Sequence, residues 1–129
     1  MQIDHLDHLV LTVADIEATC AFYERVLGMA IVTFGEGRKA LTFGQQKINL
    51  HQAGREFEPK AQHPTPGSAD LCFITSVSLA DVMEHLRMKD VAIIEGTVQR
   101  TSATEEILSV YFRDPHGNLI EVANLVGSG

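Results

Sequence analysis

The sequence predicts an α+β fold made of two copies of one βαβββ module. A strand-like run, an amphipathic helix and three further strand-like runs occur in that order twice along the chain, and a proline-rich segment separates the two occurrences. An internal repeat constrains a fold more strongly than any single motif. One helix covers only one face of a module's sheet. We therefore expect two modules to curve their sheets into a cupped mixed sheet that binds a ligand on its inner face.

Module 1 covers about residues 4–52. Residues 6–13 are rich in aliphatic and β-branched side chains and predict a strand. Apolar residues then recur at helical spacing over 15–27, with Asp15 as the N-cap and Gly28 as the residue that ends the helix. Three further strands are predicted, at 30–34, 39–43 and 47–52.

Module 2 covers about residues 70–125 and follows a linker, 53–69, that contains three of the four prolines. A strand at 70–76 precedes a helix that starts after the N-cap Ser78 and runs to about Asp90. Strands are predicted at 92–95, 106–113 and 118–124. We interpret residues 1–129 as a single domain of two modules.

Composition excludes several classes of partner. The formal net charge is −7 and no basic run occurs, which argues against nucleic acid. No apolar run approaches the ~20 residues of a membrane span, and the first residues lack the apolar core of a signal peptide. These patterns predict a cytoplasmic protein with neither a nucleic-acid nor a membrane partner.

Two segments carry a resemblance to a known family. Asp7-His-Leu-Val-Leu-Thr-Val13, followed by Phe22-Tyr23 and Leu27-Gly28, resembles the opening of a vicinal oxygen chelate module, and the segment 111–121 resembles its closing hairpin. The chain is therefore identified as similar to small proteins of the glyoxalase, bleomycin-resistance and dioxygenase superfamily, including a virulence-associated subgroup. The resemblance covers nearly the whole chain and implies the glyoxalase-like cupped sheet.

The resemblance also implies a divalent metal, because family ligands come from the first and last strands of each module. Those strands carry His8, His51, Asp70 and Glu121. Side-chain alternation along the strands agrees with this ligand set. Glu121, Asp70 and His51 each point to the face opposite their apolar neighbours, which is the inner face of the cup. Asn49 points to the same face as His51. Glyoxalase I usually has a carboxylate or amide at the His51 position and a histidine at the Asp70 position. A set of imidazole and carboxylate ligands suits Zn, Ni, Co, Mn or Fe(II).

Two further residues are candidates for the reaction. Tyr111 shares its strand face with Ser109 and Arg113, so its phenol is a candidate catalytic group. Arg113 is the candidate substrate-binding residue for an anionic group, and Arg38, Lys47 and Arg100 are other cations able to take that role.

The function implied by the resemblance is that of a glyoxalase-like lyase or isomerase related to lactoylglutathione lyase. Its metal stabilises an enediolate-type intermediate of a small oxygenated substrate, and Glu121 moves the proton. Three alternatives remain open: a fosfomycin-type resistance transferase, an Fe(II) dioxygenase and a metal-free drug-binding protein of the bleomycin-resistance type. Fosfomycin-type enzymes usually have threonine where this chain has Val10.

Small members of the family usually pair module 1 of one chain with module 2 of another. The resemblance therefore implies a homodimer with shared sites, and two-fold dimers are the commonest oligomers. In such a dimer, His8 and His51 come from one chain and Asp70 and Glu121 from its mate.

Overall fold

A computed structural model describes residues 1–127 of the chain. It divides into two compact units, unit 1 from Met1 to Gly67 and unit 2 from Ser68 onward. Each unit contains one helix and one four-stranded mixed sheet, which confirms the predicted α+β class. Unit 1 contains β1 (His8–Val13), α1 (Ile16–Leu27), β2 (Ala30–Phe34), β3 (Arg38–Phe43) and β4 (Gln46–Gln52). Unit 2 contains β5 (Asp70–Ile74), α2 (Leu79–Met88), β6 (Ile93–Thr101), β7 (Glu106–Arg113) and β8 (Leu119–Leu125).

The sheet of unit 1 has the strand order β1-β4-β3-β2, and only the β1–β4 pair is parallel. Alternate residues on one face are buried and form the core with α1: Leu11, Val13, Leu41, Ile48 and Leu50. The caps of α1 are those that the sequence predicts. Asp15 accepts a hydrogen bond from the Ala18 amide, and Gly28 ends the helix at φ 68°, a conformation that glycine adopts without strain.

Unit 2 repeats this topology, with the strand order β5-β8-β7-β6 and a parallel β5–β8 pair. Its core includes Leu86 of α2 and four buried sheet residues, namely Val110, Phe112, Ile120 and Val122. The Ser78 hydroxyl caps α2 by accepting from the Asp81 amide. Both sheets thus bury the apolar residues of their helix-side face, and the candidate polar residues His8, Asn49, His51, Asp70 and Glu121 lie on the opposite face.

The turn between β7 and β8 is fixed by buried hydrogen bonds. Asn118 is almost fully buried, and its side-chain amide donates to the Asp114 carboxylate at 2.7 Å. The side-chain oxygen Oδ1 of Asn118 accepts from the Ala69 amide at 2.9 Å, which ties the start of β5 to the turn. The turn therefore sets the positions of Asp70 and of β8 relative to each other.

The structure differs from the sequence-based prediction mainly at β6, which extends to Thr101 rather than ending at Glu95. Two register irregularities interrupt its pairing with β7, so its side chains do not alternate regularly. A Cβ at Gly96 would lie 3.0 Å from a Val110 methyl group, which explains why a glycine occupies this strand position. Helix α2 ends at Met88, two residues before its predicted end, and β1 begins at His8 rather than at residue 6.

Within residues 1–127, neither helix has the length and apolar character that crossing a membrane would require.

Candidate functional site

Unit 2 contains a cavity of about 540 Å³ on the sheet face opposite α2. Side chains from all four strands line it, together with the β6–β7 turn at residues 102–104. Each strand contributes a polar group to the lining, namely Cys72 on β5, Arg100 on β6, Tyr111 on β7 and Glu121 on β8, and the hydroxyl residues Thr101, Ser102 and Thr104 add to them near the β6–β7 turn. A concave, largely apolar cavity with a few converging polar groups is typical of a small-molecule site.

Glu121 is the only carboxylate among the residues that line this cavity. Its Oε2 accepts a hydrogen bond from the hydroxyl of Ser109, which is fully buried one strand away on β7. Cys72 lies directly opposite Glu121 in the parallel β5–β8 pair. Burial, followed by the Glu121 carboxylate, raises the pKa of the Cys72 thiol to about 11. The carboxylate is thus held on one side by a hydroxyl and on the other by a protonated thiol.

Tyr111 lies beside Glu121 on the next strand, since the two residues are paired in the β7–β8 register. Its phenol oxygen accepts a hydrogen bond from Arg100 Nε at 3.1 Å, and the guanidinium lies 5.6 Å from the ring centre. Burial raises the pKa of the phenol, an effect that the Arg100 hydrogen bond opposes. The phenol therefore stays protonated at neutral pH. Its position beside Glu121 is compatible with the catalytic role predicted for it.

The other two predicted residues of unit 2 lie outside the cavity lining. Asp70 is exposed at the start of β5, two residues before Cys72, and so lies diagonally from Glu121 on the same sheet face. Arg113 is at the end of β7, where Nη1 donates to the Gly117 carbonyl oxygen across the hairpin turn at 3.2 Å. The structure therefore brings Asp70 near Glu121, whereas the Arg113 side chain bonds to the hairpin turn and Arg100 lines the cavity instead.

In unit 1, His8 is the first residue of β1 and is exposed. Its Nδ1–H donates to the Asp7 carboxylate at 2.8 Å, and this hydrogen bond lowers the pKa of Asp7. Metal-binding histidines commonly donate one ring N–H to a carboxylate, which orients the ring and leaves the other nitrogen for the metal. The Asp7–His8 pair has this arrangement, because its hydrogen bond uses Nδ1 and leaves Nε2 for a metal ion.

His51 lies on the same face of the unit 1 sheet, but it is not a neighbour of His8. The parallel register pairs His8 with Lys47 and His51 with Thr12, so four residues separate the two imidazoles along the strands. At ~3.3 Å per residue that is about 13 Å. The structure does not bring the two histidines together. His51 is buried beside the Phe57 ring, and burial, together with the nearby Arg38 cation, lowers its pKa.

Asn49 is the ligand-capable residue of unit 1 that the sequence-based selection omitted. It points to the same face as His51 and lies only two residues beyond the partner of His8. Its side chain is 7% exposed, and its Oδ1 is buried without a hydrogen-bond partner. An unpaired buried amide oxygen is costly unless a ligand satisfies it. Alternation along β4 shows that Asn49 points to this face, but only the register with β1 shows that it lies closer to His8 than His51 does.

Each unit thus presents one pair of candidate ligands: His8 with Asn49 in unit 1, and Asp70 with Glu121 in unit 2. Among residues 1–127, the His, Cys, Asp and Glu side chains form no group of three or more placed to hold a metal ion. The chemistry of the four donors, one imidazole nitrogen with amide and carboxylate oxygens, fits a divalent ion of intermediate softness. The unsatisfied Asn49 oxygen agrees with that assignment.

Comparison with known proteins settles the family. A sequence model of the Glyoxalase/Bleomycin resistance protein/Dioxygenase superfamily matches residues 5–122. The chain belongs to this superfamily. The resemblance seen in the opening and closing segments of the sequence is thereby confirmed. The superfamily groups glyoxalases, bleomycin resistance proteins and dioxygenases, so membership defines the fold and a range of chemistry rather than one reaction.

Three proteins illustrate what the chain is similar to. The chain is 61% identical to virulence protein STM3117 of Salmonella typhimurium over 98% of this chain and 88% of that protein. The crystal structure of STM3117 superposes with a TM-score of 0.96 and covers 98% of this chain and all of that one. A glyoxalase domain-containing protein of Mycosarcoma maydis, RDO1, is 55% identical over 96% of this chain and 70% of that protein. The fosfomycin resistance protein FosX of Listeria monocytogenes, whose crystal structure was solved with Mn(II) and sulfate, shares the fold alone. It is 20% identical, and its structure superposes with a TM-score of 0.67 over 97% of this chain and 93% of that one.

Proposed function

We propose that the chain is a metal-dependent lyase or isomerase that acts on a small oxygenated substrate. The observation that carries the proposal is the Glu121 carboxylate in the unit 2 cavity, fixed by the buried Ser109 hydroxyl and adjacent to the protonated Tyr111 phenol. A positioned carboxylate and a positioned acid are the two groups that a proton transfer between neighbouring carbon and oxygen atoms requires. Superfamily membership is compatible with this chemistry.

The metal would be held by His8 and Asn49 of unit 1 and by Glu121 of unit 2, with Asp70 as a further oxygen ligand. His51 is left out because its ring lies four residues along the sheet from His8 and packs against Phe57. A bound divalent ion supplies Lewis-acid polarisation of substrate oxygens. It also supplies the electrostatic partner that the buried Asn49 oxygen lacks.

The residues of unit 2 then divide the proton chemistry between them. Glu121 accepts the proton from the carbon next to a substrate carbonyl, and Ser109 keeps the carboxylate oriented while it does so. Arg100 donates to the phenol oxygen of Tyr111, so the phenol's own proton remains available for a substrate oxygen. The apolar part of the lining, with Ile107 and Leu125, excludes water from the reacting atoms.

Because each unit carries only half of the proposed ligand set, we further propose that the working form is a homodimer. In it, His8 and Asn49 of one copy act with Glu121 and Asp70 of another. The repeated βαβββ topology, in which the candidate ligands of each sheet lie on the face opposite its helix, supports such a pairing of unlike units.

The decisive experiment compares Glu121→Gln with Glu106→Gln. Both are glutamates on neighbouring strands, but Glu106 lies on the opposite sheet face, where it accepts a hydrogen bond from Gln99. With methylglyoxal–thiol adducts first and other α-hydroxycarbonyl compounds next, Glu121→Gln should lower turnover by roughly 10²–10⁴-fold, the usual share of general acid–base catalysis. Glu106→Gln should not. A protein that binds no metal and turns over nothing would favour the drug-binding alternative.

A further inference from the structure

Unit 1 contains a cluster of cationic and aromatic side chains around Arg38 that has no role in the proposed reaction. The guanidinium carbon of Arg38 lies 4.4 Å from the centre of the Phe57 ring and 5.0 Å from that of Phe34. The Lys47 ammonium lies 4.7 Å from the same Phe34 ring. All three contacts are within the range of cation–π attraction. We call Phe34, Arg38, Lys47 and Phe57 the Arg38 cluster.

The Arg38 guanidinium is held in place by rings rather than by an acceptor. Its Nε is buried and has no hydrogen-bond partner. Within the described residues, no carboxylate pairs with it, although the chain carries seventeen acidic residues and a net charge of −7. A buried charged donor without an acceptor costs free energy, so such a group is retained where a ligand completes it.

Two acidic side chains near this region already have partners: Asp7, which also feels the Lys47 charge, accepts a hydrogen bond from His8, and the other is Glu56. Glu56 accepts a hydrogen bond from the Gly54 amide at 2.7 Å through one oxygen and an ion pair from Lys60 at 3.4 Å through the other. The buried neighbour of Arg38, His51, carries no negative charge, and its lowered pKa reflects burial first and the Arg38 cation second. No side chain of unit 1 therefore neutralises Arg38.

The Arg38 cluster lies on the same sheet face as the candidate metal ligands. In the β3–β4 register Ala40 is paired with Asn49, and Arg38 is two residues along β3 from Ala40 on that face. Lys47 is two residues from Asn49 on the other side. Two cations thus flank the unsatisfied Asn49 oxygen along one face of one sheet.

We propose that the Arg38 cluster is a subsite for the carboxylate group of a small-molecule ligand. The Phe34 and Phe57 rings offer no hydrogen-bond acceptor to the guanidinium, so its N–H groups stay available to a ligand, and two of them match the two oxygens of a planar carboxylate. The proposal rests on the proposed function in one respect, since it adds that the oxygenated substrate bound near Asn49 also carries an anionic group. The Lys47 ammonium attracts the same carboxylate electrostatically but does not fix its orientation.

The test measures carboxylate binding in protein freed of metal on a chelating resin, so that its outcome does not depend on the metal site. The Arg38 Nε–H resonance, assigned by its loss in Arg38→Met, is followed by ¹⁵N NMR while lactate or the neutral isostere lactamide is added. Arg38→Met keeps the aliphatic stem between the two rings and removes the charge. Arg87→Gln removes an exposed arginine of α2 and is the matched control.

We expect a saturable shift of the Arg38 Nε–H signal with lactate at millimolar concentration and none with lactamide. Binding should weaken at least about tenfold in Arg38→Met and remain unchanged in Arg87→Gln, because one charge-assisted bidentate contact carries most of the affinity. The proposal is overturned if the signal does not move, if lactamide moves it equally, or if folded Arg38→Met binds lactate as the wild type does. Loss of metal binding in a separate titration would affect only the proposed function.

Discussion

Cys72 and Glu121 face each other across the parallel β5–β8 pair, and the thiol is within hydrogen-bonding reach of the carboxylate. Burial and this carboxylate together raise the pKa of the thiol from 9.0 to about 11. The protein thus has a cysteine at the surface of its cavity that stays protonated at neutral pH. Because the thiolate is the nucleophilic form, Cys72 is predicted to be unreactive although it is accessible.

The first prediction concerns that reactivity. In metal-free protein at pH 8, iodoacetamide should modify Cys72 roughly 100-fold more slowly than an unperturbed thiol, because a two-unit rise in pKa lowers the thiolate fraction by that factor. Glu121→Gln removes the negative charge and should accelerate modification. The rate is read by mass spectrometry of the Cys72 peptide, with unfolded protein as the reference. Equal rates in wild type and Glu121→Gln would show that the carboxylate does not control the thiol.

The second prediction separates Asn49 from His51 as the metal ligand of β4. The purified protein should bind about one divalent ion per chain, and His8→Ala combined with Glu121→Ala should abolish binding without unfolding the protein. Asn49→Ala should weaken binding by about 10–100-fold or more, since even outer-shell substitutions cost that much. His51→Gln should leave the affinity nearly unchanged. Elemental analysis and calorimetric titration measure metal binding. A larger loss of affinity in His51→Gln than in Asn49→Ala would show that His51, not Asn49, is the ligand.

The contrast between Asn49 and His51 shows what the sequence could and could not predict. The alternation of polar and apolar residues in β4 correctly places both on the face opposite α1, because alternation is a property of one strand. Which of them lies near His8 depends on the register between β1 and β4, and those strands are separated by more than thirty residues of chain. No local pattern encodes that register. The sequence therefore predicted which sheet face Asn49 and His51 occupy, but it could not predict which of the two lies nearer to His8.

The position of Arg100 in the cavity lining could not be predicted from the sequence for a related reason. The strand prediction ended at Glu95, before the stretch that carries Arg100, because Gly96 and the irregular pairing of β6 obscure the alternating pattern. Arg113, on a regular strand, was chosen instead, although its side chain bonds to the adjacent turn. By contrast, the strands and helix caps with regular patterns were predicted within one or two residues in both units.

The third prediction tests the turn that joins β5 to β8. Asn118→Ala removes a buried side chain that both donates to Asp114 and accepts from Ala69. It should lower the free energy of unfolding by about 2 kcal/mol or more, because the Ala69 amide and the Asp114 carboxylate each lose a buried hydrogen bond. Gln45→Ala, in the exposed turn before β4, should change it by less than about 0.5 kcal/mol. Urea unfolding measures both. A loss in Asn118→Ala no larger than in the control would show that these hydrogen bonds do not stabilise the turn.

The fourth prediction addresses assembly. The protein should be a dimer by light scattering at micromolar concentration. When His8→Ala and Glu121→Ala chains exchange subunits, each mixed dimer with shared sites contains one site with both defects and one with none. Activity and metal binding should therefore partly return. If each site lies within one chain, mixing restores nothing, and a monomer in solution would exclude shared sites altogether.

The position of β8 in its sheet has a consequence for biosynthesis. The ribosome makes β8 after β5, β6 and β7, yet β8 lies between β5 and β7 in the folded sheet. Until it emerges, β5 has no partner in unit 2 and one side of β7 is unpaired, and such exposed strand edges invite association with other chains. Glu121 enters with the strand that closes this gap. A nascent or truncated chain therefore cannot hold the Glu121 carboxylate in place before the sheet around it is complete.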